Sequence, residues 1–263
     1  MIKIFFSIII SLINAILVNR IVSHNKIITI NSFLPGALFF LLSFPFILGD
    51  QNLEVTIILL LFVYMLAEIF KLNELKVKKT TFFNIGFTSS IIVLFNIGLL
   101  LNICLVLFAL IYYKQFNWRV TLIYILGLIC PTILIWIIYY LGADISKIIY
   151  KQIEYDSTWQ IISNYSIFWT TSSILLIVST IELYNNYYKK KDSAKRALSI
   201  LFFGSTILMI CSLFEQSIGL MFLLIIPISI IIPNYLLYTK LKNFRTFLLG
   251  LLTTILIINL LYI

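Results

Sequence analysis

Apolar residues in this chain come in long runs broken by short polar turns, not at the spacing of a half-buried helix or strand. The runs cover residues 2–18, 31–48, 53–70, 82–96, 98–113, 120–141, 165–184, 197–214, 219–237 and 246–263. A helix crossing the roughly 30 Å of bilayer hydrocarbon needs roughly 20 such residues. Each run therefore predicts a transmembrane helix, giving an all-α polytopic bundle of about ten passes (range 8–10). No loop is long enough for a second domain, and no repeat of solenoid or inverted-half length is visible, so residues 1–263 read as a single integral membrane domain. The run from Met1 to Val18 is followed at once by Asn19-Arg20 without a small-residue cleavage site, and reads as a retained helix.

The stretch from Phe82 to Tyr113 is ambiguous, because its 32 residues carry no charge. As one helix it would be about 48 Å long, too long for a single pass. As a helical hairpin at 82–113 it breaks at Asn96-Ile97-Gly98 into two short helices. Charge decides between the two. With the hairpin, 16 of the 19 Lys and Arg residues face one side, and only Lys3, Lys147 and Lys151 the other. With a single pass, the cluster from Lys189 to Arg196 would lie opposite the cluster from Lys71 to Lys79, against the positive-inside rule. The hairpin places both termini outside.

Composition agrees with this class. Hydrophobic residues are 62% and charged residues 11% of the chain, where a soluble domain has about 45–50% and about 25%. Mean hydropathy is +1.09. The net charge of +9 does not point to nucleic acid, because the basic residues sit in short loops beside apolar helices, where they set orientation and meet anionic headgroups. Cys104, Cys130 and Cys211 all lie in apolar runs without metal or disulfide spacing, and read as small buried hydrophobes.

Four segments stand out: Asn14-Ala15-Ile16-Leu17-Val18-Asn19-Arg20-Ile21-Val22, the run containing Pro35, Phe83-Asn84-Ile85-Gly86-Phe87, and Phe116-Asn117-Trp118-Arg119 with the helix after it. In these the chain resembles a family of uncharacterised multi-pass inner-membrane proteins of Bacteroidota. The resemblance implies a membrane bundle and transfers no functional residue. A carotenoid-cleaving label carried by some relatives needs four histidines on one iron, and this chain has only His24.

Six of the ten acids fall on the outer side: Asp50, Glu54, Asp144, Glu154, Asp156 and Glu215. Carboxylates on one aqueous face suit a divalent cation, and one could act as general base toward a polyprenyl-phosphate sugar. The catalytic candidates for such glycosyltransferase-like chemistry are Asp50 and Glu54. The simpler reading makes Asp50 a helix N-cap, with Glu54 favoured by the helix dipole. Residues near 143–154 repeat isoleucines at helical spacing and predict an amphipathic helix on the outer leaflet. Trp118 and Arg119 sit at headgroup level and are candidate lipid-phosphate contacts. Glu68 is spaced to pair with Lys71, and Glu182 to reach the Lys189 cluster. Ser166, Thr170, Ser173 and Thr180 share one face, and Gly86 with Ser90 forms a small-xxx-small pair; both predict close helix packing. Three functions fit this pattern. The first is a membrane protein of envelope biogenesis handling a lipid or lipid-linked glycan. The second is a non-catalytic scaffold bound to a membrane-protein partner, and the third is a secondary transporter. No resident cofactor is implied by any motif.

Overall fold

The computed structural model describes residues 2–30, 32–48, 52–74, 76–95, 97–141, 163–214, 222–238 and 242–262. Every long element among them is an α-helix. In chain order these are α1 (Ile2–His24), α2 (Leu34–Leu48), α3 (Asn52–Lys71), α4 (Lys79–Phe95), α5 (Asn102–Tyr112), α6 (Trp118–Tyr140), α7 (Ser166–Asn185), α8 (Asp192–Phe214), α9 (Ile225–Tyr238) and α10 (Lys242–Tyr262). A helix lies over each apolar run, and several begin earlier than the run does. α4, α8 and α10 start at Lys79, Asp192 and Lys242, because polar first turns continue the helix beyond the apolar stretch. Asp192 stabilises its own N-terminus and has Lys195 Nζ 3.7 Å away. Among the described residues, five helices, α1, α3, α6, α7 and α8, are long and apolar enough to cross a membrane; α2, α4, α5, α9 and the stretch Thr246–Ile255 of α10 are shorter apolar helices.

The stretch from Phe82 to Tyr113 is interrupted, as its length required. α4 ends at Phe95, a 3₁₀ segment spans Ile97–Leu101, and α5 has only 11 residues, about 17 Å. The two halves part company. α4 packs between α3 and α6, while α5 and the 3₁₀ segment pack on α8, where the Phe108 and Phe203 rings stack with centroids 3.9 Å apart.

Two packing units share the core. In the first, α1 sits against α2 and α3, joined by a Ser11–Ser43 hydroxyl contact of 2.8 Å and by Asn14 Nδ2 donating to the Thr56 carbonyl at 3.3 Å. Met65 of α3 accepts from Ser89 Oγ at 3.4 Å and Asn102 Nδ2 at 3.1 Å. α4 and α6 meet at the closest crossing. A Cβ on Gly86 would stand 2.2 Å from the Tyr124 carbonyl oxygen, and one on Gly127 would stand 2.4 Å from that of Phe83. In the second unit, α9 packs on α2 and α7 and buries most of its residues, Pro227 and Pro233 included. Phe46 of α2 lies against Trp169 and Phe222 with centroids at 5.6 and 6.1 Å.

The exterior is as apolar as the core. Phe5 of α1, Leu126, Trp136 and Tyr140 of α6 and Tyr184 of α7 are 61–82% exposed. An aqueous surface does not carry continuous apolar helix faces of this extent, whereas hydrocarbon solvates them. On α1, α2 and α3 several polar side chains turn inward: Ser7, Ser11, Asn14, Ser43 and Thr56 are all buried.

The polar face expected on α7 does not pack. Ser166, Thr170 and Ser173 are exposed and Thr180 is half-buried, and the packed face is Phe168, Ser172, Leu175, Ser179 and Leu183. Thr170 and Ser173 donate to the Ile167 and Trp169 carbonyls of their own helix, which satisfies their hydroxyls without a neighbour. The Gly86 and Ser90 face of α4 is buried, as the small-residue spacing predicted. The expected outer amphipathic helix near 143–154 lies outside the described residues.

Candidate functional site at the basic end

Five polar connections meet at one end of the bundle. The α1–α2 loop is tied to the end of α9, where Thr29 N donates to Tyr238 Oη at 2.9 Å and the two hydroxyls lie 2.7 Å apart. It is tied to the α7–α8 loop by Lys190 Nζ donating to the Ile27 carbonyl at 2.9 Å, and to α8 by Ser193 Oγ donating to the Asn25 carbonyl at 3.4 Å. Arg196 Nη1 reaches Asn73 Oδ1 at 3.2 Å, and Gln115 Nε2 reaches the Leu72 carbonyl at 3.5 Å. The Lys189 and Lys71 clusters, which a single long pass would separate, therefore share one end.

Local sequence builds this end from helix stops. Lys26 has φ 53°, with the Ile27 amide donating to the Val22 carbonyl and the Lys26 amide to that of Ser23. That is a Schellman cap with lysine in the left-handed position usually given to glycine. Lys114 repeats it with φ 57°, Gln115 donating to Leu110 and Lys114 to Ile111. Each cap turns the chain sharply and leaves a lysine at the rim.

Within this end lies a cavity of about 590 Å³ lined by Lys26, Thr29, Glu182, Asn186, Lys189, Lys190, Lys191, Asn234 and Tyr238. Its volume falls in the roughly 300–1,000 Å³ range of small-ligand sites. Lys190 is the fixed point. Its ammonium donates to Ile27 O and to Asn234 Oδ1 and sits 4.6 Å from the centroid of the Tyr238 ring. Among the described residues no carboxylate pairs with it. Burial pulls its pKa from the ordinary lysine value down to about 8, because desolvation penalises the charged form. Lys189 is held on the next turn, donating to Asn186 Oδ1 at 3.0 Å. Glu182 lines the same cavity, as its spacing from the Lys189 cluster suggested.

Apart from Glu182, the described residues singled out in the sequence do not line this cavity. Glu54 lies in the first turn of α3, at the opposite end of that helix from Lys71, about 26 Å along the axis. Asp50, Asp144, Glu154, Asp156 and Glu215 lie outside the described residues. Trp118 and Arg119 open α6 and are exposed, with the guanidinium 5.5 Å from the Trp118 ring centroid. They are on the basic end and do not line the cavity. Glu68 is buried and forms an ion pair with Lys71. Asn234 and Tyr238 carried no sequence signal, since an amide and a phenol near the end of an apolar helix are common. The lysine run was legible as an orientation signal but not as a binding wall.

The chain matches the family of unknown function DUF6427 over residues 2–262 and belongs to it. No curated protein and no solved structure matches the chain.

Proposed function

We propose that this protein is an integral inner-membrane protein that threads its helices as ten passes, with the basic end in the cytoplasm, and handles a lipid or lipid-linked glycan in envelope biogenesis. The carrying observation is the lysine-lined cavity at the end of a bundle whose outer walls are apolar. Such a cavity would sit at headgroup depth, where an anionic lipid reaches it while its chains stay beside the exposed face of α7. The positive-inside rule supports the cytoplasmic placement. The short α2, α4, α5 and α9 fit a bundle in which partial spans are buried against longer neighbours.

A transferase version of this reading would act from the outer side through Asp50 and Glu54. The ion pair between buried Glu68 and exposed Lys71 offers a transporter no isolated carboxylate at that position.

The test is extraction of the native protein into lipid nanodiscs, followed by mass spectrometry of what comes with it. A stoichiometric anionic lipid or glycolipid is expected. A stoichiometric protein partner with only bulk phospholipid would replace this reading with that of a non-catalytic scaffold.

A further inference from the structure

We infer that the cavity around Lys190 recognises a terminal phosphate, a phosphomonoester or diphosphate end bearing at least two negative charges. The inference rests on the lipid-handling reading above and narrows its ligand.

Three observations carry it. The first is charge. Among the described residues, four lysines line the cavity against the single carboxylate of Glu182, leaving an excess that one phosphodiester charge does not balance. The second is the state of Lys190. Two of its three protons go to neutral acceptors, Ile27 O and Asn234 Oδ1, so its position is fixed while its charge is not cancelled. A half-buried ammonium with no counter-charge is costly to keep, and an anion entering the cavity removes that cost. Tyr238 is committed elsewhere: its ring lies against Lys190 and its hydroxyl is tied to Thr29, so it serves as floor and not as a cage for a quaternary ammonium. The third is shape and donor type. Lysines meet phosphate as compact charges with several donors, while the arginine fork serves planar, bidentate recognition of carboxylate or phosphate, and among the described residues the cations lining this cavity are all lysines. At about 30 Å³ per water, the space holds far more than one phosphate group, leaving room for a second phosphate or a sugar.

The experiment uses the full chain in nanodiscs of phosphatidylcholine doped with phosphatidic acid, a phosphomonoester, or with phosphatidylglycerol, a phosphodiester. Bound lipid is counted by native mass spectrometry with and without added inorganic phosphate. The wild type is expected to retain phosphatidic acid about tenfold over phosphatidylglycerol, the size of one charge-assisted hydrogen bond. Lys190→Gln should bring that ratio to about one, with Lys190→Arg restoring part of it. If Lys190→Gln does not fold, the exposed pair Lys189→Gln and Lys191→Gln must lower the ratio instead. Displacement by inorganic phosphate would assign the site to a soluble phosphate compound and keep the phosphate chemistry. Equal retention by wild type and the folded variants, with another lipid co-purifying, overturns the ligand assignment alone. Absence of any selectively held lipid, with no displacement by phosphate, overturns the lipid-handling reading with it.

Discussion

At the scale of single residues, Lys190 shows how tertiary context separates identical side chains. Lys189, Lys190 and Lys191 are indistinguishable as sequence, yet only the middle one is folded inward, onto Ile27, Asn234 and Tyr238. Its partners come from more than 40 positions to either side, a separation that no local pattern encodes. This residue makes the empty protein pH-sensitive. Burial favours the neutral form, with a pKa of about 8 against the ordinary value of 10.5. Between these values the unfolded chain binds more protons than the folded one, so this group adds stability as pH rises from about 8 toward 10.5, and that contribution is lost as pH falls through 8. The titratable groups that share its cavity are Lys26 from the α1–α2 loop, Glu182 from α7, Lys189 and Lys191 beside it, and Tyr238 from α9. Melting in detergent from pH 7.5 to 9.5 should show a rise in Tm for wild type that is smaller in Lys190→Met. An identical pH profile in both proteins would mean that Lys190 is not desolvated in the folded state. Saturating inorganic phosphate should flatten the wild-type rise, because the anion restores the charged form.

At the scale of elements, the apolar runs located the helices well, because hydrocarbon demands continuous apolar length wherever a helix crosses. What the runs could not show is which face of each helix meets protein and which meets lipid, since both are apolar. The misread face of α7 follows from this. Ser166, Thr170 and Ser173 looked like packing residues, but serine and threonine hydroxyls in a helix can turn back to their own carbonyls, as Thr170 and Ser173 do. Gly86 differs because a missing Cβ is a steric fact that no local bond replaces. Its Cα faces Gly127 and the Tyr124 carbonyl at a distance that admits no side chain. Gly86→Leu is therefore expected to force α4 from α6 and to cost about 1–3 kcal/mol or more. Thr170→Leu, on an exposed face, should cost less than about 0.5 kcal/mol. Thermal unfolding in one detergent checks the pair. Comparable losses for both would mean that α7 is covered by something on its exposed face, and that the Gly86 crossing is softer than its geometry implies.

At the scale of the whole molecule, charge sorting and packing bear on threading by independent routes. The sorting argument uses only where basic residues fall along the chain; the packing argument uses hydrogen bonds such as Gln115 to Leu72, Arg196 to Asn73 and Lys190 to Ile27. Both put the α1–α2, α3–α4, α5–α6 and α7–α8 connections on one side. The short α5 is the critical element, because its 11 residues cover little more than half of the hydrocarbon alone. The proposed ten-pass threading needs it to cross together with the 3₁₀ segment, and α5 is held against α8 by Phe108 and Phe203. Removing Cys104, Cys130 and Cys211 permits a direct test with single cysteines and a membrane-impermeant thiol reagent on intact cells. Asn73→Cys, Gln115→Cys and Lys191→Cys should be protected until the membrane is opened, while Glu54→Cys should react at once. If Gln115→Cys reacts from outside while Asn73→Cys stays protected, the stretch from Phe82 to Tyr113 crosses once and the ten-pass threading fails. If all four positions respond alike, α3 does not cross, and the lysine cavity and Glu54 share one aqueous face.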